Sequence, residues 1–519
     1  MVFISVDEWS HERQPGSALL SITRTVYHGA VTNRTASTSG VPVRRNVILA
    51  IACLGQFMVI LDVAIVNVAL PSMRQELHFS TTGLQWVVNA YTLAFAGFLL
   101  LGGRTADLFG RRRMFLVGLG VFTAASMVCG LAPNPASLIG ARAVQGMGAA
   151  ILSPVTLTIV TMTFVEPRER SRALGVWSAA LASGGAVGVL LGGILTDLFS
   201  WRWIFLVNIP VGIAGIVIGR MVLRESRADL RSTSLDVAGA LSITAALSAL
   251  VFGIVETTTH GWSAPLTLGP IVAAVVLGAL FVVIEARLAT APIVPLGILR
   301  SRALMGANIS MACVGGSMFA MWYFVSLYLQ EVLVMSPLDA GLAFIPAALA
   351  IVAGSQFAGR VVPRSGPRSM LVGAGLVISA SLFWMSHLSA DGSYFGDLFG
   401  PLILVSLGLG CSFPPGVFAA MSSVRPTEAG LASGLVNSSR QIGGAIGLAV
   451  LATVAAHRTG ALRVGESNAA ALADGYGRAI AIGSIVALGT AAAAFIIPGG
   501  RPHTAARSAA PVVKAADES

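Results

Sequence analysis

The sequence predicts an all-α polytopic membrane protein, and three observations carry that fold class. Of the 519 residues, 55% are hydrophobic and only 11% charged, with a mean hydropathy of +0.81. Apolar runs of about 20 residues, the length that crosses a bilayer core as a helix, recur from residue 46 to residue 498. The arginines fall between those runs and form no basic domain. A β-barrel would show short segments of alternating hydrophobicity instead. The net charge of +10 therefore reads as loop charge beside a lipid bilayer, and no nucleic-acid partner is expected.

Taking about 20 residues per crossing, helices are expected at 46–70, 84–103, 114–132, 136–163, 173–196, 201–222, 237–256, 266–285, 303–329, 338–358, 369–388, 399–422, 430–456 and 478–498. They group into a six-helix bundle over 46–222, an inserted pair over 237–285 and a second six-helix bundle over 303–498. Polar stretches at 1–45 and 499–519 are read as tails. The first has no apolar core followed by a small-residue cleavage site, so it reads as cytoplasmic and not as a signal peptide. Its Asn33-Arg34-Thr35 sequon is then a chance match.

With the N-terminus inside, the even-numbered connections hold most arginines, among them Arg104, Arg111 to Arg113, Arg168, Arg220, Arg231, Arg287, Arg360 and Arg425. The outer connections hold Arg74, Arg202, Arg458, Arg463 and Arg478. This asymmetry places both termini in the cytoplasm of a cell-membrane protein, with Trp86, Trp201 and Trp203 starting helices at the outer interface.

Two inner loops look alike. GRTADLFGRRRM, Gly103 to Met114, and GRVVPRSGPRSM, Gly359 to Met370, share Gly, Arg, Gly, Arg and Met in register. Each follows one apolar run and precedes another, which predicts a parallel repeat of two six-helix halves, with an inserted pair whose even number keeps the orientation.

Several chemistries are disfavoured. Cys53, Cys129, Cys313 and Cys411 fall inside expected spans without CxxC spacing, so neither a disulfide framework nor a thiolate metal site is expected. No GxxxxGK[ST] loop is present, so uphill work would draw on an ion gradient and not on bound nucleotide, and no cofactor is expected. None of the seven histidines lies in mid-span, and no histidine or carboxylate cluster of a membrane enzyme is visible.

The residues that carry chemistry are few. In FMVILDVAIVNVALP, Asp62 stands alone in an apolar run, where an ionised aspartate costs about 2.5 to 3.5 kcal/mol. In LIGARAVQGMGAA, Arg142 lies within another apolar helix at a similar depth, so the two could meet directly or through water, as a switchable couple or as a static ion pair.

GGRTADLFGRRR packs Gly103, Asp107, Gly110, Arg111 and Arg112 into one connection. The glycines allow a tight bend, and the charges could latch two bundles or simply follow the positive-inside rule. In GVWSAALASGGAVGVLLGGILT, Gly184, Gly188 and Gly192 share one helix face, with Gly185 and Gly193 alongside, for close helix approach. Glu256, Glu285 and Glu331 read as loop-side charges and Arg440 as structural. The stripe Met305, Met311, Met318, Met321, Trp322 and Tyr323 reads as core or lipid-facing filling, with a greasy ligand pocket as the alternative.

Together these segments resemble the major facilitator superfamily, specifically its fourteen-helix drug:proton antiporter branch, over residues 46–498. LDVAIVNVALP is similar to that branch's first-helix motif, GRTADLFGRR to the superfamily loop signature and RAVQGMGAA to the fourth-helix motif. Gly175, Gly184, Gly188, Gly192 and Gly193 follow the spacing of the antiporter motif, with Val189 where proline is usual and Leu108 where a basic residue is common. SWRWIFLVNIPVG and GLASGLVNSSRQIGGAIG also resemble this branch.

The resemblance implies two six-helix bundles plus two extra central helices. It implies that Asp62 and Arg142 take part in proton or substrate coupling, and that Asp107 with Arg111 or Arg112 stabilises an outward-facing state. The fifth-helix glycines would let the halves rock without a proton leak. The expected activity is proton-coupled export of a hydrophobic or amphipathic small molecule by a monomer, with import of a small nutrient as the alternative.

Overall fold

The computed structural model describes residues 40–80, 82–227, 234–425, 428–462 and 467–499. The Asn33 sequon, Arg231, Arg463 and most of both expected tails lie outside these residues. The membrane-crossing helices lie in one compact unit from Val47 onward, apart from the opening residues of the first helix.

Fourteen helices among the described residues are long and apolar enough to cross a membrane. They are α1 (Gly40–Leu77), α2 (Trp86–Phe109), α3 (Arg111–Gly130), α4 (Pro135–Thr163), α5 (Pro167–Leu198), α6 (Trp203–Val222) and α7 (Val237–His260). The remainder are α8 (Pro265–Leu288), α9 (Arg302–Val332), α10 (Pro337–Ser365), α11 (Pro367–Met385), α12 (Tyr394–Met421), α13 (Ala429–Leu462) and α14 (Asn468–Ala494). Each expected span is present, and most helices run past the apolar core into polar flanks, where hydropathy alone carries no signal.

Local chemistry sets the ends. Asn134 caps α4 by accepting from the Ser137 amide at 2.9 Å, with Pro135 in the first turn where its missing N–H costs nothing. Ser336 and Pro337 open α10 in the same way. The two similar loops end alike: Gly110 (φ 105°) separates α2 from α3, and Gly366 (φ 79°) separates α10 from α11. Only glycine takes those angles readily. Gly103 does not bend the chain, because it lies inside α2.

The packing of α1–α6 recurs in α9–α14. α2 packs on α4 as α10 packs on α12, and α3 packs on α4 and α6 as α11 packs on α12 and α14. The two sets of six helices also meet symmetrically, α5 against α10 and α13 against α2. α7 and α8 pack on each other, and α7 also lies against α2 and α13.

Candidate functional site

Asp62 and Arg142 meet directly. Arg142 Nη1 donates to Asp62 Oδ2 at 2.5 Å, and the two residues are 0% and 1% exposed. Gln145, one turn beyond Arg142 on α4, joins them: its Nε2 donates to Asp62 Oδ1 at 2.7 Å and its Oε1 accepts from Arg142 Nη1 at 2.7 Å. Arg142 Nε donates to the Val87 carbonyl at 3.0 Å, and its guanidinium lies 4.3 Å from the Tyr91 ring centroid. Gln145 Nε2 also reaches Ser126 Oγ at 2.6 Å, which accepts from Asn208 Nδ2 at 3.1 Å.

Side chains from α1, α3, α4 and α6 thus form one network, with α2 supplying a carbonyl and an aromatic face. Both carboxylate oxygens of Asp62 are occupied, which meets the requirement that a buried charge be paired and hydrogen-bonded. The sequence reading paired Asp62 with Arg142 but missed Ser126, Asn208 and Tyr91. Their signal was only a polar atom at mid-span depth.

The glycine face of α5 is turned to α1. A Cβ on Gly184, Gly188 or Gly192 would fall 3.1, 2.9 and 2.8 Å from the carbonyl oxygens of Phe57, Leu61 and Ile65 respectively. These carbonyls flank Asp62 on both sides, so α5 forms a close wall along the helix that carries the carboxylate. Gly193 instead meets α10, where a Cβ would lie 2.6 Å from the Pro337 oxygen, and Gly341 of α10 approaches the Val189 carbonyl in return. Gly175 and Gly185 have nothing within 4 Å of a Cβ, so they are not part of either contact. In the second half, Gly315 and Gly316 of α9 lie against the Arg440 and Gly443 carbonyls of α13, repeating the α1–α5 approach.

The charged connection is bound within its own half. Arg111 Nη2 donates to Asp107 at 3.2 Å and its amide to the Ser226 carbonyl at 2.9 Å. Glu225 accepts from the amides of Arg112 and Arg113 at 3.2 and 3.1 Å, placing a carboxylate at the positive N-terminus of α3. Arg112 Nη2 donates to the Arg220 carbonyl at 2.8 Å. These contacts tie α2 and α3 to the end of α6 and do not join the two halves.

The halves are joined at the opposite end. Arg74 of α1 pairs with Glu331 of α9 at 2.9 Å, and Tyr476 of α14 donates to Glu331 at 2.8 Å. Glu331 had been read as a solvated loop charge; it is instead a half-buried bridge between halves, because α1, α9 and α14 converge there. Glu285, read the same way, is 5% exposed and accepts from the Val294 amide at 3.1 Å. Trp201 is likewise buried within the protein, just before α6, and donates to Glu76 at 2.6 Å.

A proline prepares that junction. Pro71 has no N–H to offer the carbonyl of Asn67 one turn back. Ser326 of α9 supplies the donor at 2.6 Å, and Gln330 Nε2 donates to the adjacent Val68 carbonyl at 2.9 Å. The methionine stripe divides as expected for filling: Met311, Met321 and Tyr323 are core, while Trp322 is half-buried and stacks on Phe344 at 4.7 Å.

Comparison with known proteins agrees with this architecture. The family model described as Major Facilitator Superfamily matches residues 52–448. The chain is 42% identical to a cephamycin export protein of Amycolatopsis lactamdurans, over 86% of this chain and 90% of that protein. It is 39% identical to a puromycin resistance protein of Streptomyces alboniger, over 92% and 96%. A solved structure of a bacterial homologue of the human lysosomal transporter Spinster shares the fold, with a TM-score of 0.62 at 17% identity, covering 88% of this chain and 98% of that one. The chain therefore belongs to the Major Facilitator Superfamily, as a multi-pass membrane transporter and not an enzyme.

Proposed function

We propose that this protein is a proton-coupled antiporter that exports a hydrophobic or amphipathic small molecule by alternating access, with Asp62 and Arg142 as the coupling groups and a proton gradient as the energy source. The observation that carries the reading is the complete enclosure of Asp62 on α1, the same helix that carries the outer junction. The names of the relatives, a cephamycin exporter and a puromycin resistance protein, support an antibiotic-like cargo and the outward direction.

The chemistry follows from the network. Asp62 accepts one hydrogen bond at each oxygen and keeps further lone pairs for a proton, but a neutral carboxyl holds the Arg142 guanidinium far less strongly than the carboxylate does. Protonation then removes the charge that holds Arg142, and α1 and α4 are free to shift relative to each other. Release of the proton restores the pair and the closed arrangement. The tight α1–α5 wall keeps water from Asp62 between these events, as Gly184, Gly188 and Gly192 permit. In the outward-facing state the Asp107, Arg111 and Arg112 cluster secures the inner side, and both termini face the cytoplasm. The transport unit is a monomer.

The test is drug accumulation in an exporter-deficient host, comparing wild type with Asp62→Asn. Wild type lowers accumulation of at least one antibiotic and the variant, at equal membrane abundance, does not. Equal export by the variant at neutral or alkaline external pH removes Asp62 from coupling. A rise in accumulation with wild type overturns the exporter reading.

A further inference from the structure

The second half holds a membrane arginine that the Asp62 network does not use. Arg440 lies eleven residues into α13, about 16 Å from its start. Unlike Arg142, it has no carboxylate partner among the described residues. Among the described residues its side chain makes one hydrogen bond, from Nη2 to Asn437 Oδ1 at 2.8 Å, and its guanidinium lies 5.4 Å from the Phe413 ring centroid on α12.

The direction of the side chain follows from what surrounds α13. Ala445, Ala449 and Ile442 pack with Leu247 and Val251 of α7 and with Leu93 of α2, while Gly443 and Gly447 lie against α9. At about 100° per residue, Ser433, Asn437 and Arg440 stand roughly opposite the α7 contact. Phe413 of α12 lies over that face, and α9 packs along it through Gly444 and Gly447. Asn437, Arg440 and Phe413 are all half-buried there. Beside them Gln441 is 5% exposed, its amide makes no hydrogen bond among the described residues, and its Oε1 is fully enclosed.

We infer that Arg440, with the Gln441 amide and Asn437 beside it, forms an anion subsite in the interior of the transporter, where Phe413 packs the apolar body of an amphipathic ligand. A guanidinium at membrane depth is costly unless neutralised, and an aromatic face with one amide replaces only part of its hydration. A carboxylate, sulfonate or phosphate accepts from the second Nη2 hydrogen together with Nε or Nη1, on whichever side Asn437 leaves open, in the paired geometry that arginine favours. The ligand class is thus an acidic amphiphile, drawn from a cargo molecule or from a lipid headgroup. The subsite's part in export rests on the antiport reading, but its ability to bind an anion at equilibrium does not.

The test uses two probes that differ by one charge, 1-anilinonaphthalene-8-sulfonate and its uncharged parent N-phenyl-1-naphthylamine. Binding to the full chain in phosphatidylcholine nanodiscs is read by fluorescence after subtraction of empty discs. Wild type binds the sulfonate saturably, and Arg440→Gln weakens it by about tenfold, or about 1.4 kcal/mol, while binding of the neutral probe changes by less than about twofold. Arg440→Lys recovers part of the sulfonate affinity. Competition by added phosphatidylglycerol in wild type identifies a lipid headgroup as the natural anion, and lack of competition identifies a soluble one. Equal loss of both probes, unchanged sulfonate binding in Arg440→Gln, or no saturable sulfonate binding to wild type overturns the subsite. The sulfonate titration is read at equilibrium with no proton gradient, so a protein that binds the sulfonate through Arg440 yet exports nothing fails the antiport reading alone, and one that exports but binds no sulfonate fails the subsite alone.

Discussion

Arg74 near the end of α1 and Glu331 near the end of α9 hold the two halves together through a 2.9 Å ion pair, with Tyr476 hydrogen-bonded to the same carboxylate. The buried carboxylate of Asp62 and the Arg74 that joins the halves are therefore on one helix, twelve positions or about 18 Å apart. Motion of α1 that disturbs Asp62 is transmitted to Arg74 without any intervening joint except Pro71.

Neutralising that junction favours its opening. In a background with the four cysteines replaced, a cysteine at Asn67 is expected to react with a membrane-impermeant maleimide about five times faster when Glu331→Gln is added. That factor corresponds to about 1 kcal/mol for a partly exposed pair. Unchanged labelling would show that the pair contributes nothing to closure.

The buried pair on α1 and α4 predicts a sign reversal between single and double variants. Arg142→Gln leaves an uncompensated carboxylate with no exposure and is expected to cost about 3 to 5 kcal/mol. Adding Asp62→Asn removes the orphan charge, so the double variant unfolds at a higher temperature in detergent than Arg142→Gln alone. Additive losses would argue that the two residues act independently.

The α5 glycines separate into two groups. Gly188→Ala places a methyl group 2.9 Å from the Leu61 carbonyl and 2.8 Å from Ala64 Cβ, so it is expected to lower both export and thermal stability. Gly175→Ala meets nothing and raises helix propensity, with a gain of up to about 1 kcal/mol and export unchanged. Equal effects from both would remove close approach as the function of this face.

Gly110 offers a test of the loop. Its φ of 105° is strained for any L-residue, and a Cβ there would collide with the Glu225 carboxylate. Gly110→Ala is expected to displace Glu225 from the α3 amides, and Glu225→Gln to lose part of that cap, about 1 kcal/mol by thermal unfolding. Loss of export with unchanged unfolding temperature would assign the loop to conformational switching instead of helix capping.

All fourteen spans were legible because lipid solubility demands long apolar runs, and the depth match of Asp62 and Arg142 was legible because α-helical rise is constant. The repeat was legible through Gly110 and Gly366, whose backbone angles few other residues take. Glu331 was not, because a carboxylate at a helix end looks solvated until the partner helix is placed beside it. Gly103 was misread as a bend for a related reason: one glycine in a helix and one at its end look the same in sequence. The burial of Trp201 against the protein was not legible, because an indole fits both membrane surface and core and its partner Glu76 is far away in sequence.

Pro71 gives the Arg74–Glu331 junction a particular energetic character. In an unbroken helix the Asn67 carbonyl would be satisfied in either state, and parting the halves would cost Ser326 its acceptor for no return. With the proline in place, water that enters as α1 and α9 separate can bond the same carbonyl that Ser326 relinquishes. Opening there is an exchange of hydrogen-bond partners and not a net loss of one, so the proline lowers the cost of parting the two helices.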